Sequence, residues 1–495
     1  MIFRKLLRPL LLLFCAGCSQ QQRLPNIVVI FIDDMGFADI GPFGAEYPTP
    51  NLDRMAQEGR RFTDFQTSSP VCSASRAALL TGAFNRRLDV DGAYGPNSEE
   101  GLNPDETTIA ETLRPLGYAT AVYGKWHLGD QPKFLPANQG FDEYYGLPYS
   151  NDMWPQHGQY VNLPPELDER KKRWPNLPII EGTKVVDDDV SGEEQALLTR
   201  QYTERAVSFI DRNKDKPFFL YVPHTMMHVP IFASDRFLGK SGAGLYADVV
   251  MELDWSVGEI MEALRRNGLD KDTLVVFTTD NGPWLNYGNH AGSAKPFREG
   301  KHTVYEGGNR VPAIFWWPGR IPAGTSTEYL ASTIDILPTV AAITGAALPE
   351  KVIDGRDIRP LLFGEEAATS PHEYFPMYHD GGLKAIRTER WKLIFPHRYN
   401  ALTEEPGRDG APAGYVATDA TLELYDLEND PSETTDVRDQ HPEIVADLEA
   451  AGQRYREELG DRLTQTEGSA VRPAGRMQEG DERLYWGEAS HSTAR

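Results

Sequence analysis

Residues 26–36 read Asn-Ile-Val-Val-Ile-Phe-Ile-Asp-Asp-Met-Gly, and this run indicates the fold class of the chain. After Asn26 the run is apolar and rich in β-branched side chains, which is typical of a strand buried on both faces of a parallel sheet. Two adjacent carboxylates, Asp33 and Asp34, follow directly. Adjacent carboxylates at the end of a buried strand repel each other and are costly to desolvate, and a divalent cation would resolve this. The alternative is a helix N-cap next to a solvated carboxylate.

A second predicted strand ends in the same way. Residues 272–279 form another largely apolar run, which leads into Asp280 and Asn281. Because binding sites in an open parallel sheet gather at the carboxyl ends of the strands, the two pairs of side chains can converge on one point. All four side chains offer oxygen ligands and none is Cys or His, which favours Ca²⁺ or Mg²⁺ over zinc.

Residues 71–82 read Val-Cys-Ser-Ala-Ser-Arg-Ala-Ala-Leu-Leu-Thr-Gly and place Cys72 and Arg76 at the start of a short helical pattern. One of the two serines is expected to cap this helix, and the glycine is expected to end it. A helix N-terminus binds anions readily through its free N–H groups and its partial positive charge. The alternative is a turn of small residues before a surface helix that contains a buried cysteine.

Three further motifs contain basic side chains. Residues 124–129, Gly-Lys-Trp-His-Leu-Gly, follow an apolar run and contain Lys125 and His127. Residues 223–230 begin and end with proline, so their two histidines are predicted to lie in a loop rather than on a helix. Residues 300–312 read Gly-Lys-His-Thr-Val-Tyr-Glu-Gly-Gly-Asn-Arg-Val-Pro and contribute another lysine.

Taken together, these motifs resemble those of the formylglycine-dependent sulfatases, an arylsulfatase-like family of the alkaline-phosphatase-like superfamily. The resemblance covers about residues 25–460 and rests on Cys-x-Ala-x-Arg, Gly-Lys-x-His, His-x-Pro, Asp-Asn-Gly and Gly-Lys…Glu-Gly-Gly-x-Arg-x-Pro, in this order. It implies an α/β fold: a large, mostly parallel (mixed) sheet sandwiched by helices, and a small C-terminal domain with an antiparallel sheet and a helix. We expect a catalytic domain over residues 25–365, an α+β subdomain over 366–465 and a loosely ordered tail over 466–495.

The resemblance also implies the chemistry. A formylglycine-generating maturation enzyme would oxidise Cys72 to formylglycine, whose hydrate attacks sulfur; Ala74 stands where the family more often has proline. His228, helped by Lys301, would protonate the leaving alcohol, and His127 would take a proton from the second hydroxyl as sulfate leaves. The implied catalytic residues are Cys72, Arg76, Lys125, His127, His228 and Lys301. The cation, Ca²⁺ by family usage with Mg²⁺ as the alternative, is expected at Asp33, Asp34, Cys72, Asp280 and Asn281.

We expect the substrate to be a sulfated saccharide. Ser150 is similar in position to a substrate-binding residue of the family, and His302 replaces a commoner glycine. With the segments around Trp154 and His290, they are expected to set specificity, because such side chains can stack on or hydrogen-bond to a sugar ring. The alternative is that Trp154 and His290 brace the loops. Three other functions stay open: a generic arylsulfatase, a phosphate or phosphonate ester hydrolase on the same scaffold, and an unmodified, non-catalytic glycan-binding protein.

Composition and the amino terminus bear on partners and location. The 495 residues carry a formal net charge of -23, which argues against a nucleic-acid partner. Residues 1–18 combine a basic start, a short apolar run and the ending Ala-Gly-Cys, which predicts a lipoprotein-type signal peptide and a lipid anchor at Cys18. An ordinary cleaved signal peptide is the alternative. We expect an exported bacterial protein, periplasmic or anchored to the outer membrane. Because Cys72 is the only cysteine after position 18, no internal disulfide framework is expected.

Overall fold

The computed structural model of the protein describes residues 23–403 and 405–484. The predicted signal peptide and the lipidation site at Cys18 lie outside the described residues. Within these two ranges, no helix has both the length and the apolar character that crossing a bilayer requires.

The strands and helices alternate along the first three quarters of the chain. The strands are β1 (Asn26–Ile32), β2 (Arg60–Gln66), β3 (Glu100–Gly101), β4 (Ala119–Tyr123), β5 (Glu143–Gly146), β6 (Ile179–Glu181), β7 (Lys184–Asp187), β8 (Phe218–Pro223), β9 (Thr273–Thr279), β10 (Arg310–Trp316), β11 (Thr325–Thr327), β12 (Ala331–Ser332), β13 (Phe375–His379), β14 (Gly382–Arg387), β15 (Trp391–Ile394), β16 (His397–Leu402), β17 (Tyr415–Ala420), β18 (Glu423–Asp426) and β19 (Gly475–Arg476). The α-helices are α1 (Pro50–Glu58), α2 (Cys72–Thr81), α3 (Ile109–Leu113), α4 (His157–Tyr160), α5 (Pro165–Lys171), α6 (Gly192–Gln195), α7 (Leu198–Asn213), α8 (Leu245–Arg266), α9 (Glu306–Asn309), α10 (Ile336–Thr344), α11 (Arg359–Phe363) and α12 (Pro442–Leu459).

The large sheet is mixed and mostly parallel at its centre. Its strand order is β11-β2-β10-β9-β1-β8-β4-β5-β6-β7, and β12 also pairs with β2. Strands β9, β1, β8, β4 and β5 run parallel to one another, whereas β10 is antiparallel to both β9 and β2. Every residue of β1, β8 and β9 is buried, so both faces of the sheet are covered at its centre. This confirms the buried parallel strands that the apolar runs predicted and the α/β fold that the resemblance implied.

The helices that cover the sheet follow the hydrophobic pattern of the sequence. Along α7, Tyr202, Ala206 and Phe209 are buried at helical spacing. This face contacts β4 and β8, and α7 also packs against α8. Elsewhere, α10 contacts α2, the helix that begins at Cys72.

The C-terminal region forms a separate antiparallel sheet with the strand order β13-β14-β15-β18. Helix α12 packs against β14 and β15, and a second hydrophobic core that includes Leu393, Leu424 and Leu448 lies in this region. Strands β16 and β17 form a separate two-stranded antiparallel hairpin. The small antiparallel sheet with a helix agrees with the predicted architecture.

A buried ion-pair cluster joins the two sheets. Arg387 on β14 pairs with Asp64 on β2 at 2.6 Å and with Glu306 at the start of α9 at 2.8 Å. Lys392 on β15 pairs with the same Glu306 at 3.0 Å. All four side chains are buried. Because charges removed from water must be paired, this cluster fixes the small sheet against the segment that follows Lys301.

The described part of the predicted loose tail, which ends at residue 484, differs from that expectation. Strand β19 pairs with β3 in antiparallel orientation. Arg472 pairs with the buried Glu106 at 2.8 Å, and Lys133 pairs with Asp481 at 3.0 Å. These partners lie more than three hundred residues away in sequence, so the composition of the tail does not reveal them.

Candidate active site

Four neighbouring strands, β4, β8, β1 and β9, run parallel, so their carboxyl ends meet at one edge of the large sheet. Each end is followed by charged or polar side chains. They are Lys125 and His127 after β4, His228 after β8, Asp33 and Asp34 after β1, and Asp280 and Asn281 after β9. Two of these residues, Asp34 with φ 56° and His127 with φ 60°, have left-handed backbone conformations. Such strained conformations in non-glycine residues occur often at functional sites.

An oxygen-rich cluster lies at this edge. One ligand atom from each of Asp33, Asp34, Cys72 and Asp280 lies within 4.8 Å of the others, and all four side chains are buried. The amide nitrogen of Asn281 donates to Asp34 Oδ1 at 2.7 Å, and Asn281 Oδ1 is buried without a hydrogen-bond partner among the described residues. Three carboxylates and a free amide oxygen around one point form the donor set that a hard cation requires.

The pKa values of Asp280 and Asp33 are shifted in opposite directions by their surroundings. Burial and the neighbouring charge of Asp33 raise the pKa of Asp280 to about 7, although Arg76 opposes this shift. Burial alone would raise the pKa of Asp33, but Lys125 and Arg76 outweigh it and hold this pKa well below its ordinary value. A cation bound among these groups would favour the charged form of both.

Three cationic side chains surround the cluster, and each pairs with a different carboxylate. The pairs are Arg76–Asp280 at 2.8 Å, Lys125–Asp33 at 2.5 Å and Lys301–Asp34 at 2.7 Å. These cations therefore converge on one buried point from three separate segments of the chain. Preorganised positive charge of this kind stabilises an anion that develops charge during reaction.

Cys72 lies at the centre of this arrangement. Its side chain is buried, and its Sγ lies 3.5 Å from Asp33 Oδ1 and 3.3 Å from Lys301 Nζ. Burial raises the pKa of the Cys72 thiol well above its ordinary value, even though Lys125 and Lys301 oppose the shift. An unmodified Cys72 is therefore a neutral thiol and a poor nucleophile.

The predicted serine cap of α2 is wrong. The helix begins at Cys72 after an extended Val71, and no side chain caps it. Ser73 and Ser75 instead lie inside the helix, two and four residues after the N-cap position Val71, and Ser73 Oγ accepts a hydrogen bond from Tyr94 N at 3.1 Å. The C-terminal end is as predicted, because the residue after α2 is a glycine with φ 68°.

His127 is held in one tautomer by the backbone. Its Nε2 lies 2.9 Å from the carbonyl oxygen of Tyr94. Because a carbonyl can only accept, Nε2 carries the proton, and Nδ1 of the neutral ring has a free lone pair. Nδ1 is buried and has no hydrogen-bond partner in the described structure. Burial, reinforced by the charge of Lys125, lowers the pKa of His127 well below its ordinary value, so the ring is a neutral acceptor.

His228 is oriented in the opposite sense. Its Nδ1 donates to the carbonyl oxygen of Val229 at 2.7 Å, and its Nε2 lies 3.6 Å from Asp34 Oδ2. Burial and Lys301 lower the pKa of His228. The loop prediction for residues 223–230 is confirmed, because no helix forms after β8 until α8.

The structure separates the predicted substrate-binding residues. Ser150 Oγ lies 3.4 Å from Lys125 Nζ and 3.3 Å from His228 Nε2, within the central cluster. The ring of His302 lies outside the cluster but directly beside it, 5.6 Å from that of Trp284.

The other two residues from the specificity segments lie farther out. Trp154 is completely buried and stacks on Tyr160 at 5.3 Å, as the loop-bracing alternative expects. His290 lies beside the turn of the β16–β17 hairpin, where a Cβ on Gly410 would come within 3.2 Å of its Nδ1. Neither side chain contacts the central cluster.

Sequence reasoning missed Trp284, an aromatic side chain at the edge of the cluster. Its ring lies 4.5 Å from Lys301 Nζ and 5.3 Å from the ring of His228. Its position four residues after Asp280 is the one signal in the sequence that points to it.

Trp284 also borders a cavity of about 420 Å³, called here the outer cavity, between the central cluster and the small C-terminal sheet. The side chains that form its walls come from both parts of the chain, and the principal ones are Trp284, His302, His379, Lys384, Arg398 and Tyr415. The residues after position 375 carry no motif, so only their positions in the fold associate them with this site.

Comparisons with known proteins agree with the geometry. The family model described as sulfatase matches residues 25–346, and the one described as the C-terminal region of aryl-sulfatase matches residues 370–479. Arylsulfatase A of Homo sapiens is 39% identical over 451 residues, which are 86% of this chain and 85% of that protein. N-acetylgalactosamine-6-sulfatase of Canis lupus familiaris is 38% identical over 459 residues, which are 86% of this chain and 84% of that protein.

A solved structure extends the likeness to three dimensions. The PsFucS1 sulfatase from Pseudoalteromonas sp. superposes with a TM-score of 0.78 at 28% identity, covering 88% of this chain and 91% of that chain. The family models span both the large sheet and the small C-terminal sheet. The resemblance inferred from the five motifs is confirmed: the chain belongs to the sulfatase family and is an enzyme that acts on sulfated substrates.

Proposed function

We propose that the protein removes sulfate from a sulfated carbohydrate by means of a formylglycine hydrate at position 72 and a bound divalent cation. One observation carries this proposal: the side chain of Cys72 is buried among three carboxylates, and Lys301 Nζ lies 3.3 Å from its sulfur. A thiol that its surroundings keep neutral is a poor nucleophile at this position. An aldehyde hydrate at the same place would put its hydroxyl groups between the cation ligands and the lysine.

The residues present fit a hard cation. Asp33, Asp34, Asp280 and Asn281 would hold it, together with an oxygen of the modified residue 72. The buried and unpartnered Oδ1 of Asn281 is the observation that favours this, because a buried amide oxygen without a partner is costly. Donors that are all oxygen suit either Ca²⁺ or Mg²⁺, and we assign Ca²⁺, with Mg²⁺ as the alternative, because the usage of the sulfatase family favours it. The cation would supply positive charge that polarises the attacking hydroxyl and the sulfate oxygens.

The side chains of this site divide the proton transfers between them. A hydroxyl oxygen of the hydrate forms a bond to sulfur and passes its proton to a neighbouring carboxylate, and the bond from sulfur to the sugar oxygen breaks. His228, beside Lys301, delivers a proton to that sugar oxygen, which leaves as an alcohol. Because Nδ1 already donates to Val229, this proton comes from Nε2 of the protonated ring, a form that the negative charge of the bound sulfate ester favours. Meanwhile Arg76, Lys125 and Lys301 offset the negative charge on the sulfate oxygens.

Release of sulfate uses the opposite histidine. His127 Nδ1 has a free lone pair because Nε2 donates to Tyr94, so it can accept the proton of the second hydroxyl. The electron pair left on that oxygen forms the carbonyl, the carbon–oxygen bond to sulfate breaks, and the aldehyde is restored. Water then adds to the aldehyde and regenerates the hydrate.

A carbohydrate substrate is supported by the surroundings of the site. Ser150 Oγ lies within the central cluster, and the aromatic ring of Trp284 stands at its edge. Aromatic rings with a few placed polar groups suit a sugar ring better than a simple apolar slot does. The relative named N-acetylgalactosamine-6-sulfatase, at 38% identity, favours the same class.

Mass spectrometry and a substrate panel test the proposal together. The peptide that contains residue 72 is expected to carry formylglycine when the protein is isolated from its native host. Because Ala74 stands where a maturation enzyme of another host can require proline, Ala74→Pro should raise conversion in such a host. A panel of sugars sulfated at different positions is assayed beside an aryl sulfate and an aryl phosphate. An active enzyme with unmodified Cys72 would overturn the mechanism, and activity on no sulfated sugar would overturn the carbohydrate assignment.

We also propose that the protein is exported. The order of basic, apolar and small residues over 1–18 supports a lipid anchor at Cys18 of a bacterial outer-membrane or periplasmic protein. Metabolic labelling with a fatty-acid analogue should mark the wild type and not Cys18→Ser. An unlabelled, secreted wild type would indicate an ordinary signal peptide instead.

A further inference from the structure

The outer cavity adjoins the place where the sulfate ester must bind. Trp284 and His302 form the wall between the two, and Trp284 contacts both Lys301 and His228 with its ring. Whatever part of the substrate extends beyond the ester on this side therefore meets the outer cavity. Its far walls come from β13, β14 and the β16–β17 hairpin of the small C-terminal region.

The side chain of Lys384 on β14 is a buried ammonium group with little negative charge near it to compensate for its burial. Only 8% of its side chain is exposed, and its one ion pair within the described part of the chain is to Asp380, with Nζ and Oδ2 3.7 Å apart. That distance is longer than a hydrogen bond. Burial lowers the pKa of Lys384, and Asp380, with 69% of its side chain exposed, only partly offsets this. A buried ammonium with so little compensation would be stabilised by an anion.

Arg398 on β16 brings a second positive charge to the same cavity. Its cross-strand neighbour on β17 is Asp419, yet no ion pair forms between these two described residues. Burial, together with the charge of Lys301, lowers the pKa of His302 to about 3, so this ring adds no charge at neutral pH. The same holds for His379, whose pKa is lowered by burial and by Lys384.

The local charge contrasts with that of the whole protein. Lys384 and Arg398 outnumber the single carboxylate, Asp380, among the residues that line the cavity, whereas the chain carries a formal net charge of -23. On a strongly acidic protein, a polyanionic substrate can be held only where the local field is positive. Arginine and lysine are the side chains that pair with carboxylate and sulfate oxygens.

We propose that the outer cavity is a subsite for a second anionic group of the substrate, a carboxylate or a further sulfate, which Lys384 and Arg398 bind while the scissile ester lies at residue 72. The inference rests on the proposed function and narrows it: the preferred substrate is a sulfated saccharide that carries at least two negative groups. Trp284 would then separate the two anions and stack on the sugar between them.

Matched substrates test this subsite. The sugar sulfate that the wild type hydrolyses fastest in the panel is compared with the same sugar bearing a second sulfate, with the same sugar linked to a uronate, and with an aryl sulfate. We expect the wild type to show at least a tenfold higher kcat/KM on one of the doubly charged sugars than on the singly charged one. The two doubly charged substrates show whether the second group is a sulfate or a carboxylate.

Variants then assign the effect to the cavity. Lys384→Gln and Arg398→Gln should each remove most of this advantage through KM, with activity on the aryl sulfate unchanged within about twofold, and Lys384→Arg should restore part of it. Lys240→Gln, which alters an exposed lysine elsewhere, is the matched control. Because Arg398 is exposed, Arg398→Gln keeps the test valid if Lys384→Gln does not fold. Calorimetric binding of the doubly charged sugar to Cys72→Ala, with and without Arg398→Gln, measures affinity without turnover.

The outcomes are distinct. Equal kcat/KM for singly and doubly charged sugars in the wild type, or variants that lose activity equally on the aryl sulfate, would overturn the subsite and leave the sulfatase assignment intact. Failure of the wild type on every sulfate ester, the aryl sulfate included, would instead overturn the proposed mechanism.

Discussion

The indole N–H of Trp284 donates a hydrogen bond to the hydroxyl of Tyr415, with 2.7 Å between nitrogen and oxygen. Trp284 follows β9 of the large sheet, and Tyr415 begins β17 of the C-terminal hairpin. The same indole ring lies 4.5 Å from Lys301 Nζ. The hairpin is therefore linked through one side chain to the cationic centre around residue 72.

Trp284→Ala is expected to lower kcat/KM for sulfated sugars by roughly tenfold, because the ring's interaction with Lys301 is worth about 0.5–2 kcal/mol and a stacking surface is lost as well. Trp284→Phe retains a ring and should lose less. Tyr415→Phe removes the hydrogen-bond acceptor alone, which costs about 0.5–1.5 kcal/mol. Steady-state kinetics measure all three variants. Trp391→Phe, in the small sheet, is the control, and an equal loss in that variant would contradict the role given to Trp284.

His228→Ala should slow hydrolysis of sugar sulfates by about 10²–10⁴-fold, since the leaving alcohol then lacks its proton donor. The loss should be much smaller for an aryl sulfate with an acidic leaving group, which needs little protonation. Measuring kcat over a series of leaving groups reveals the difference as a steeper dependence in the variant. His224 provides a control four residues away, because its Nε2 contacts Ser256 at 3.2 Å rather than the central cluster. A similar loss for His224→Asn, or a loss independent of the leaving group, would argue against general acid catalysis by His228.

Removal of the cation should abolish activity, and Ca²⁺ or Mg²⁺ should restore it. Ca²⁺ at about 100 times its dissociation constant is expected to add about 2.7 kcal/mol to the free energy of unfolding, because it binds only the folded protein. Asp280→Asn should remove both the added stability and the turnover while it keeps a partner for Arg76. Thermal unfolding with and without the ion provides the measurement. Zinc in the purified enzyme, or a fully active Asp280→Asn, would show that the ligand assignment is wrong.

Arg387→Met is expected to destabilise the protein by about 3–5 kcal/mol, because it leaves the buried carboxylates of Asp64 and Glu306 without their shared partner. Arg390→Gln is the control, since Arg390 pairs with Asp426 at a surface where 47% of its side chain is exposed. An exposed pair contributes about 0–1 kcal/mol. Urea unfolding at neutral pH compares the two variants.

The loss of stability in Arg387→Met is also expected to depend on pH. Burial alone would raise the pKa of Glu306, but Arg387 and Lys392 outweigh it and hold this pKa below the ordinary value of 4.5. A depressed carboxylate pKa adds stability above the pKa of the unfolded state and loses it as the pH falls. The difference in unfolding free energy between wild type and Arg387→Met should therefore stay constant from neutral pH to about pH 5 and shrink as the pH falls below 4.5. A difference that does not change with pH would contradict the pairing.

The two ends of helix α2 show what local sequence patterns can and cannot predict. The glycine at position 82 ends the helix as expected, because only a residue without Cβ adopts a left-handed conformation at little cost. The serines do not cap it, since the helix begins at Cys72 itself. A cap depends on the exact first residue of a helix, and local patterns place that residue only to within a few positions.

By itself, the sequence determined the centre of this protein. The apolar runs of β1 and β9 require burial on both faces, and each ends in carboxylate or amide side chains, so a parallel sheet brings those side chains to one edge. Cys72, Lys125 and Lys301 each lie in a motif whose spacing is local. Short-range patterns therefore sufficed for the buried parallel strands and for the convergence of the carboxylates, whereas the place of the thiol among them was implied by the family resemblance.

Only the tertiary structure decided what surrounds that centre. Trp284, Lys384 and Arg398 share a cavity because the small C-terminal sheet is fixed against the large one by the buried ion pairs of Arg387. No periodicity encodes such pairs, since their partners are distant in sequence: Asp64 lies 323 residues from Arg387 and Glu306 lies 81 residues from it. The free energy that places them comes from burying and pairing charges across the interface of two sheets, and it exists only once both sheets have formed.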